Sequence, residues 1–199
     1  MILGTHNSMT YLKPRKWWMR LINFTAKCQS VDLETQLAKY GVHYIDIRVK
    51  LNKGKLVLAH GLVEYDLTPY QACGKIAAYA STHKDEQFYL RVMLENDFND
   101  TEEQRNAFRI FCSIINGSNV CKNLHIVGGY EKKNGTKIYE FNDCDLDICG
   151  AFSSMSSNKL IHLWPWLYAK KHNKESYENG TDKDVLMLDF IEIGHEQNK

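Results

Sequence analysis

The side chains in this sequence best suited to act together are His6, Arg48 and His60. Each lies in a short polar cluster: Gly4-Thr5-His6-Asn7-Ser8, Asp46-Ile47-Arg48 and His60-Gly61. Each cluster follows an aliphatic run, namely Ile2-Leu3, Tyr44-Ile45 and Leu56-Val57-Leu58. Two imidazoles can divide the roles of base and acid, because their ordinary pKa lies near neutrality. A guanidinium stays charged and offers a planar fork of donors that fits two phosphate oxygens. Cleavage of a phosphodiester needs this trio: a base to activate a hydroxyl, a cation for the phosphoryl oxygens and an acid for the leaving oxygen.

Such a trio works only if the fold brings the clusters to one place. Each reads as the C-terminal end of a strand, and in a parallel barrel those ends share one face. Leu33 and Leu37 predict a helix over 31–40, stopped by Gly41. Thr68-Pro69-Tyr70-Gln71 is a capping box with proline in the first turn, opening a helix along Ala72, Ile76, Ala77 and Ala80. A strand over Phe88 to Leu94 ends at Glu95. Thr101-Glu102-Glu103-Gln104 opens another helix, through Phe108, Phe111, Cys112 and Ile115. Residues 124–127, 160–163 and 185–190 are later strand candidates, 138–141 a weaker one, and irregular structure is expected over 128–157.

The alternation predicts an α/β fold, a reduced or distorted (β/α)8 TIM-type barrel, as a single domain over residues 1–199. A full barrel usually takes about 250 residues, so a stripped-down version is expected.

Composition narrows the function classes. With 25 basic and 24 acidic residues, the formal charge of +1 argues against a general nucleic-acid binder. No apolar run approaches the roughly 20 residues of a membrane span. Met1-Ile2-Leu3 leads into the first polar cluster without the segments of an export signal, so the sequence as given reads as cytoplasmic or peripheral to a membrane, or as a mature or truncated form. The six cysteines lack C-x-x-C spacing, which disfavours a zinc site and points to free thiols.

At these positions the sequence resembles the catalytic X region of bacterial phosphatidylinositol-specific phospholipase C. The likeness is carried by Gly4-Thr5-His6-Asn7-Ser8, Gln29-Ser30, Gln36-Leu37, Gly41 through Arg48, and Leu58-Ala59-His60-Gly61. Val185 through Phe190 resembles a late strand of that family, ending in Asp189. The resemblance implies His6 as the base that deprotonates the inositol 2-hydroxyl, with Asp189 orienting it. It also implies Arg48 at the phosphoryl group and His60 as the acid for the diacylglycerol oxygen. The first product would be a cyclic inositol phosphate.

Two features depart from the family pattern. Asn7 stands where bacterial members usually carry an Asp that supports the acid imidazole. The calcium-dependent eukaryotic branch has Asn there, and Asn7, Asp46 and Glu95 offer oxygen ligands of the kind calcium takes. Arg48, however, occupies the place of another acidic ligand in that branch, so no metal is expected. The second departure is brevity, which affects loops that would hold the inositol ring.

Among the remaining candidates, Asp46 and Arg48 share one strand face, and Asp46 is either a partner of Arg48 or a participant in the chemistry. Asp189 is either support for the base or an ordinary strand-end carboxylate. Asn7, Glu95 and Arg91 are candidate substrate contacts. Lys13 through Arg20 mixes cations with Trp17 and Trp18, a composition suited to an anionic membrane surface. Trp164 and Trp166 form a second aromatic pair that serves as either membrane rim or loop packing. His43, His83, His125, His162, His172 and His195 read as structural. The expected activity is a phosphodiesterase of phosphatidylinositol or a related inositol phosphodiester. The alternatives are a metal-dependent glycerophosphodiester-type hydrolase and a weakly active barrel that binds inositol phosphates or anionic membrane.

Overall fold

A single eight-stranded sheet, curled into a half-barrel, organises the computed structural model, which describes residues 1–195. Six strands run parallel, in the spatial order β6 (Leu124–Glu131), β5 (Phe88–Leu94), β2 (Tyr44–Asn52), β1 (Ile2–Thr5), β8 (Val185–Leu188) and β7 (Ile148–Ala151). This is the distorted TIM-type barrel expected from the alternation. No strand pairing joins β6 to β7 among the described residues. Carboxylates from the segment between them cover the β6 edge instead: the amides of Ile126 and Gly128 donate to Asp143 and Asp145 at 3.2 and 2.8 Å. Capping exposed amides in this way blunts an edge that would otherwise pair with another chain.

One expectation is corrected at the third strand. β3 (Lys55–His60) runs antiparallel to β2, and β4 (Val63–Glu64) antiparallel to β3. Lys53 and Gly54 both have positive φ, at 49° and 72°, as a two-residue turn matched to strand twist requires. The hairpin therefore extends β2 beyond the barrel and returns. Because Val49 pairs with Leu58, the returning strand brings His60 back beside Arg48.

Helices cover the outside. They are α1 (Trp17–Ile22), α2 (Leu33–Ala38), α3 (Pro69–Thr82), α4 (Glu102–Ser118) and α5 (Pro165–Asn179). The reciprocal capping box at Thr68 and Gln71 starts α3. Thr101 caps α4, but Gln104 turns its side chain to Leu51 N and Asn99 O, tying the helix to the end of β2.

Alternation along β2 separates two cores. Ile45, Ile47 and Val49 join the main core with Leu90, Phe108 and Phe111, while Tyr44 packs with Val127, Val185 and Met187 in a smaller cluster. Asp46 and Arg48 share the face of Tyr44, which carries them into the barrel.

Three expectations for the second half are revised. Residues 160–163 form a 3-10 turn over Ile161–Leu163 rather than a strand, and 138–141 forms no strand, the one bridge nearby joining Lys137, just before it, to Tyr130. The stretch expected to be irregular contains β7. The helix over 31–40 shortens to α2, capped by Asp32. α1 and α5 were not anticipated.

Candidate active site

The loop after β1 is built to present His6. Gln29 donates to His6 O and Leu188 O at 3.1 and 2.9 Å, and Gln36 donates to Ser8 O at 2.9 Å. Both glutamines are fully buried, so these bonds satisfy backbone carbonyls that water does not reach. Ser8 closes the loop against β2, receiving the Asp46 amide at 2.9 Å and donating its own amide to Asp46 O at 2.8 Å. Asn7 sits at φ 47°, a left-handed conformation that Asn tolerates better than most side chains.

His6 is then held from both sides. Asp189 Oδ1 lies 2.8 Å from its Nδ1, and Arg48 Nη2 lies 2.7 Å from its Nε2. A guanidinium can only donate, so Nε2 accepts. The ring proton is therefore on Nδ1 and is donated to Asp189. Nε2, the nitrogen facing Arg48, carries the free lone pair that a base requires.

Arg48 sits among acids, with Nε 3.2 Å from Asp46 Oδ2 and Nη1 3.7 Å from Glu95 Oε2. Burial alone would raise the Asp46 pKa, but Arg48 first and then Arg91 overcome it and hold the carboxyl at about 2. Burial likewise opposes ionisation of Glu95, and the charges of Arg48 and Lys132 override it, so its pKa is lowered. Arg48 answers in kind: burial works against its charge, yet Asp46 and Glu95 raise its pKa.

His60 comes from the opposite side. Its ring centroid is 5.6 Å from that of His6, with the planes 84° apart. Nδ1 lies 2.7 Å from Ala26 O and 3.6 Å from Cys28 Sγ. The carbonyl fixes the proton on Nδ1 and leaves the lone pair on Nε2. Burial pushes the His60 pKa down to about 3, with Glu95 opposing the shift and Arg48 adding to it.

Of the residues singled out from sequence, His6, Asp46, Arg48, His60, Glu95 and Asp189 converge. Arg91 stands at the edge of the group, 3.8 Å from Asp46 Oδ1. Asn7 contributes its backbone amide to Asp46 Oδ2 at 3.1 Å, while its buried side-chain Nδ2 has no hydrogen-bond partner. Its amide is not what receives the His60 Nδ1 proton, since the Ala26 carbonyl fills that role. Trp17 and Trp18 lie apart from the group on α1, 73% and 39% exposed.

Sequence reasoning missed three contributors. Phe152 stacks on His6 at 4.2 Å and leaves that ring only 3% exposed. Lys132 reaches Glu95 Oε1 at 2.7 Å because β6 bulges past β5 at Gly128 and Gly129. A Cβ on Gly129 would lie 2.1 Å from Tyr139 O, so only glycine allows the bulge. Cys28 lies beneath both imidazoles. The Gly-Gly pair was a visible bulge signal, whereas nothing in the sequence marked Phe152 or Cys28.

No protein-family model and no curated protein matches the sequence. Solved structures do match. Phosphatidylinositol-specific phospholipase C from Listeria monocytogenes superposes with a TM-score of 0.63 at 16% identity, over 95% of this chain and 87% of that one. The Staphylococcus aureus enzyme, in a structure concerned with modulation of its membrane binding, gives 0.61 at 16% identity, over 95% and 85%. A point mutant of that enzyme gives 0.60 at 16%, over 95% and 84%. What is shared at such identity is the fold, and this chain has the distorted TIM-type barrel of the bacterial phosphatidylinositol-specific phospholipases C.

Proposed function

We propose that this protein is a phospholipase-C-like phosphodiesterase acting on phosphatidylinositol or a related inositol phosphodiester. The observation that carries the reading is the meeting of His6, Arg48 and His60, with the two rings 5.6 Å apart and the guanidinium against His6 Nε2. When a phosphodiester enters, Arg48 turns its fork from the imidazole to the phosphoryl oxygens. His6 Nε2 takes the proton of the inositol 2-hydroxyl, whose oxygen forms a new bond to phosphorus. The bond to the glycerol oxygen breaks, and His60 Nε2 supplies the proton that oxygen needs. Water then opens the cyclic phosphate with the imidazoles in exchanged roles. Asp189 keeps His6 in the productive tautomer and supports the imidazolium that forms.

The chemistry is assigned without a metal. Asp46 and Glu95, the carboxylates a calcium ion would need, are ion-paired to Arg48, Arg91 and Lys132. Asn7, Glu95 and Arg91 are assigned to substrate contact, with Lys132 beside them.

Delivery to a membrane surface belongs to the same reading. No helix among the described residues is long and apolar enough to cross a bilayer. Trp17, Leu21 and Phe24 are exposed on one rim, and Phe24 meets exposed Trp164 at 4.8 Å. Lys16 and Lys170 lie over Trp18 and Trp166. Indoles with adjacent ammonium groups suit the headgroup depth of an anionic leaflet.

The test is release of diacylglycerol from phosphatidylinositol vesicles in the presence of chelator, with His6→Ala and His60→Ala nearly inactive. Activity abolished by chelator would favour a metal-dependent glycerophosphodiester-type hydrolase. Vesicle binding without turnover would favour a binding module.

A further inference from the structure

Cys28 is fully buried, yet the phosphodiester chemistry assigns nothing to its thiol. It precedes Gln29, which anchors the His6 loop, and its backbone is fixed by Thr10 Oγ1 and by the amide of Phe190. These constraints place Sγ where His6 and Asp189 also converge. One imidazole nitrogen, the thiol sulfur and one carboxylate oxygen all lie within 4.8 Å of one another. They come from three distant segments, which is why cysteine spacing gave no sign of the group.

We propose that His6, Cys28 and Asp189 form an inhibitory zinc site at the base of the candidate active site. Nitrogen, thiolate and carboxylate are the three side-chain ligand types zinc takes, and three protein ligands with an open fourth position are a common arrangement around it. His6 offers Nδ1, the nitrogen already directed at Asp189. Binding releases one proton, from the Cys28 sulfur. The imidazole proton is retained and moves from Nδ1 to Nε2.

That shift disarms the base. Nε2 then carries hydrogen instead of a lone pair, so it no longer accepts the substrate hydroxyl proton or a bond from Arg48. The displaced guanidinium has a place to go: Glu95 Oε2 is buried, lies 3.7 Å from Arg48 Nη1 and lacks a hydrogen-bond partner. Zinc and substrate thus demand opposite tautomers of one ring. The inhibitory half of the proposal rests on the phosphodiesterase reading, but the metal site does not.

The experiment separates the two. Cobalt(II), added as a spectroscopic substitute for zinc, is expected to give a thiolate-to-metal charge-transfer band that zinc displaces. Cys28→Ser should abolish the band, while Cys144→Ser, at an exposed thiol, should retain it. A wild-type protein without the band, or a Cys28→Ser protein that keeps it, overturns the site. In the vesicle assay, zinc should inhibit the wild type reversibly with chelator. Cys28→Ser should need at least about tenfold more zinc for the same inhibition, the scale on which changes around a metal alter affinity. Equal zinc sensitivity in both proteins overturns the inhibitory role. Absence of turnover from metal-free protein would instead overturn the phosphodiesterase reading, leaving the cobalt band to decide the site.

Discussion

The Nδ1–H of His6 donates to Asp189 Oδ1 at 2.8 Å, and this bond fixes which nitrogen of the ring carries the lone pair. Asp189 is wholly buried, and its other oxygen accepts the Ser153 amide at 3.2 Å, so the carboxylate has little freedom to turn away. Asp189→Asn preserves the shape but presents either an amide N–H or a neutral carbonyl to Nδ1. The first favours the wrong tautomer, and the second supports the imidazolium poorly. The expected result is a fall in kcat of about a thousandfold, within the range ordinary for positioned acid-base catalysis, with little change in KM. A loss smaller than about tenfold in the vesicle assay would remove Asp189 from the mechanism.

His60 gives a pH signature. With its pKa pushed down to about 3 in the empty site, its protonated fraction falls as pH rises across the neutral range. kcat/KM, which reports the free enzyme, should therefore decline from pH 5 to pH 8. kcat should be flatter, because a bound phosphate raises the imidazole pKa. Stability runs the other way. Between pH 6.5, the ordinary value, and about 3, the unfolded chain binds a proton that the folded one does not. Stability contributed at this position is thus present at neutral pH and lost as pH falls through that window. Melting temperatures of wild type and His60→Gln should converge toward the acid end, and parallel curves would exclude the linkage.

Helices α3 and α4 were legible because they are amphipathic and explicitly capped, whereas the short α1 has no side-chain cap to announce it. α3 and α4 bury regular apolar stripes, and β5 is a run of seven residues with turn signals around it. α5 buries only Pro165, Ala169 and Asn173, so its stripe is too polar to register as periodicity. β7 is four residues long with Ala151 alone buried, and it lacks the β-branched run that marks a strand. The antiparallel return of β3 had a signal in Lys53-Gly54, a two-residue hairpin turn. For the site, catalytic types in conspicuous clusters were readable. Cys28, Phe152 and the Ala26 carbonyl were not, because their part depends on where the backbone arrives.

Membrane delivery makes a separable prediction. Trp17 is 73% exposed and Trp18 is 39% exposed beneath Lys16, so Trp17 has more apolar surface to bury in a lipid interface. Full burial of a large apolar side chain contributes about 1.5–3 kcal/mol, so Trp17→Ala should weaken vesicle binding by roughly tenfold or more. Trp18→Ala should have the smaller effect. Hydrolysis of soluble cyclic inositol phosphate should be unaffected by either change. Sedimentation with phosphatidylinositol vesicles measures the binding, and loss of soluble-substrate turnover would indicate packing rather than membrane contact.

Asn173 links the unforeseen helix to the candidate site. After β8 the chain turns sharply at Asp189 and Phe190, and Phe190 adopts φ 46°, an unfavourable conformation for a bulky side chain. The turn is held by the fully buried Asn173 on α5, whose Nδ2 donates to Asp189 O at 2.8 Å and Phe190 O at 3.1 Å. Asn173→Ala would remove both donors; Phe190 O keeps the Ile193 amide at 2.9 Å, so the cost of about 1–3 kcal/mol for an unsatisfied buried group falls on Asp189 O. A lower melting temperature is expected, together with a loss in kcat that outweighs any change in KM, since relaxation of the turn moves Asp189 from His6. Asn173→Asp tests the same link by charge, because a carboxylate cannot donate to either oxygen. If Asn173→Ala melts early but keeps the wild-type kcat and pH profile, α5 supports the fold alone and the catalytic position of Asp189 is set by β8.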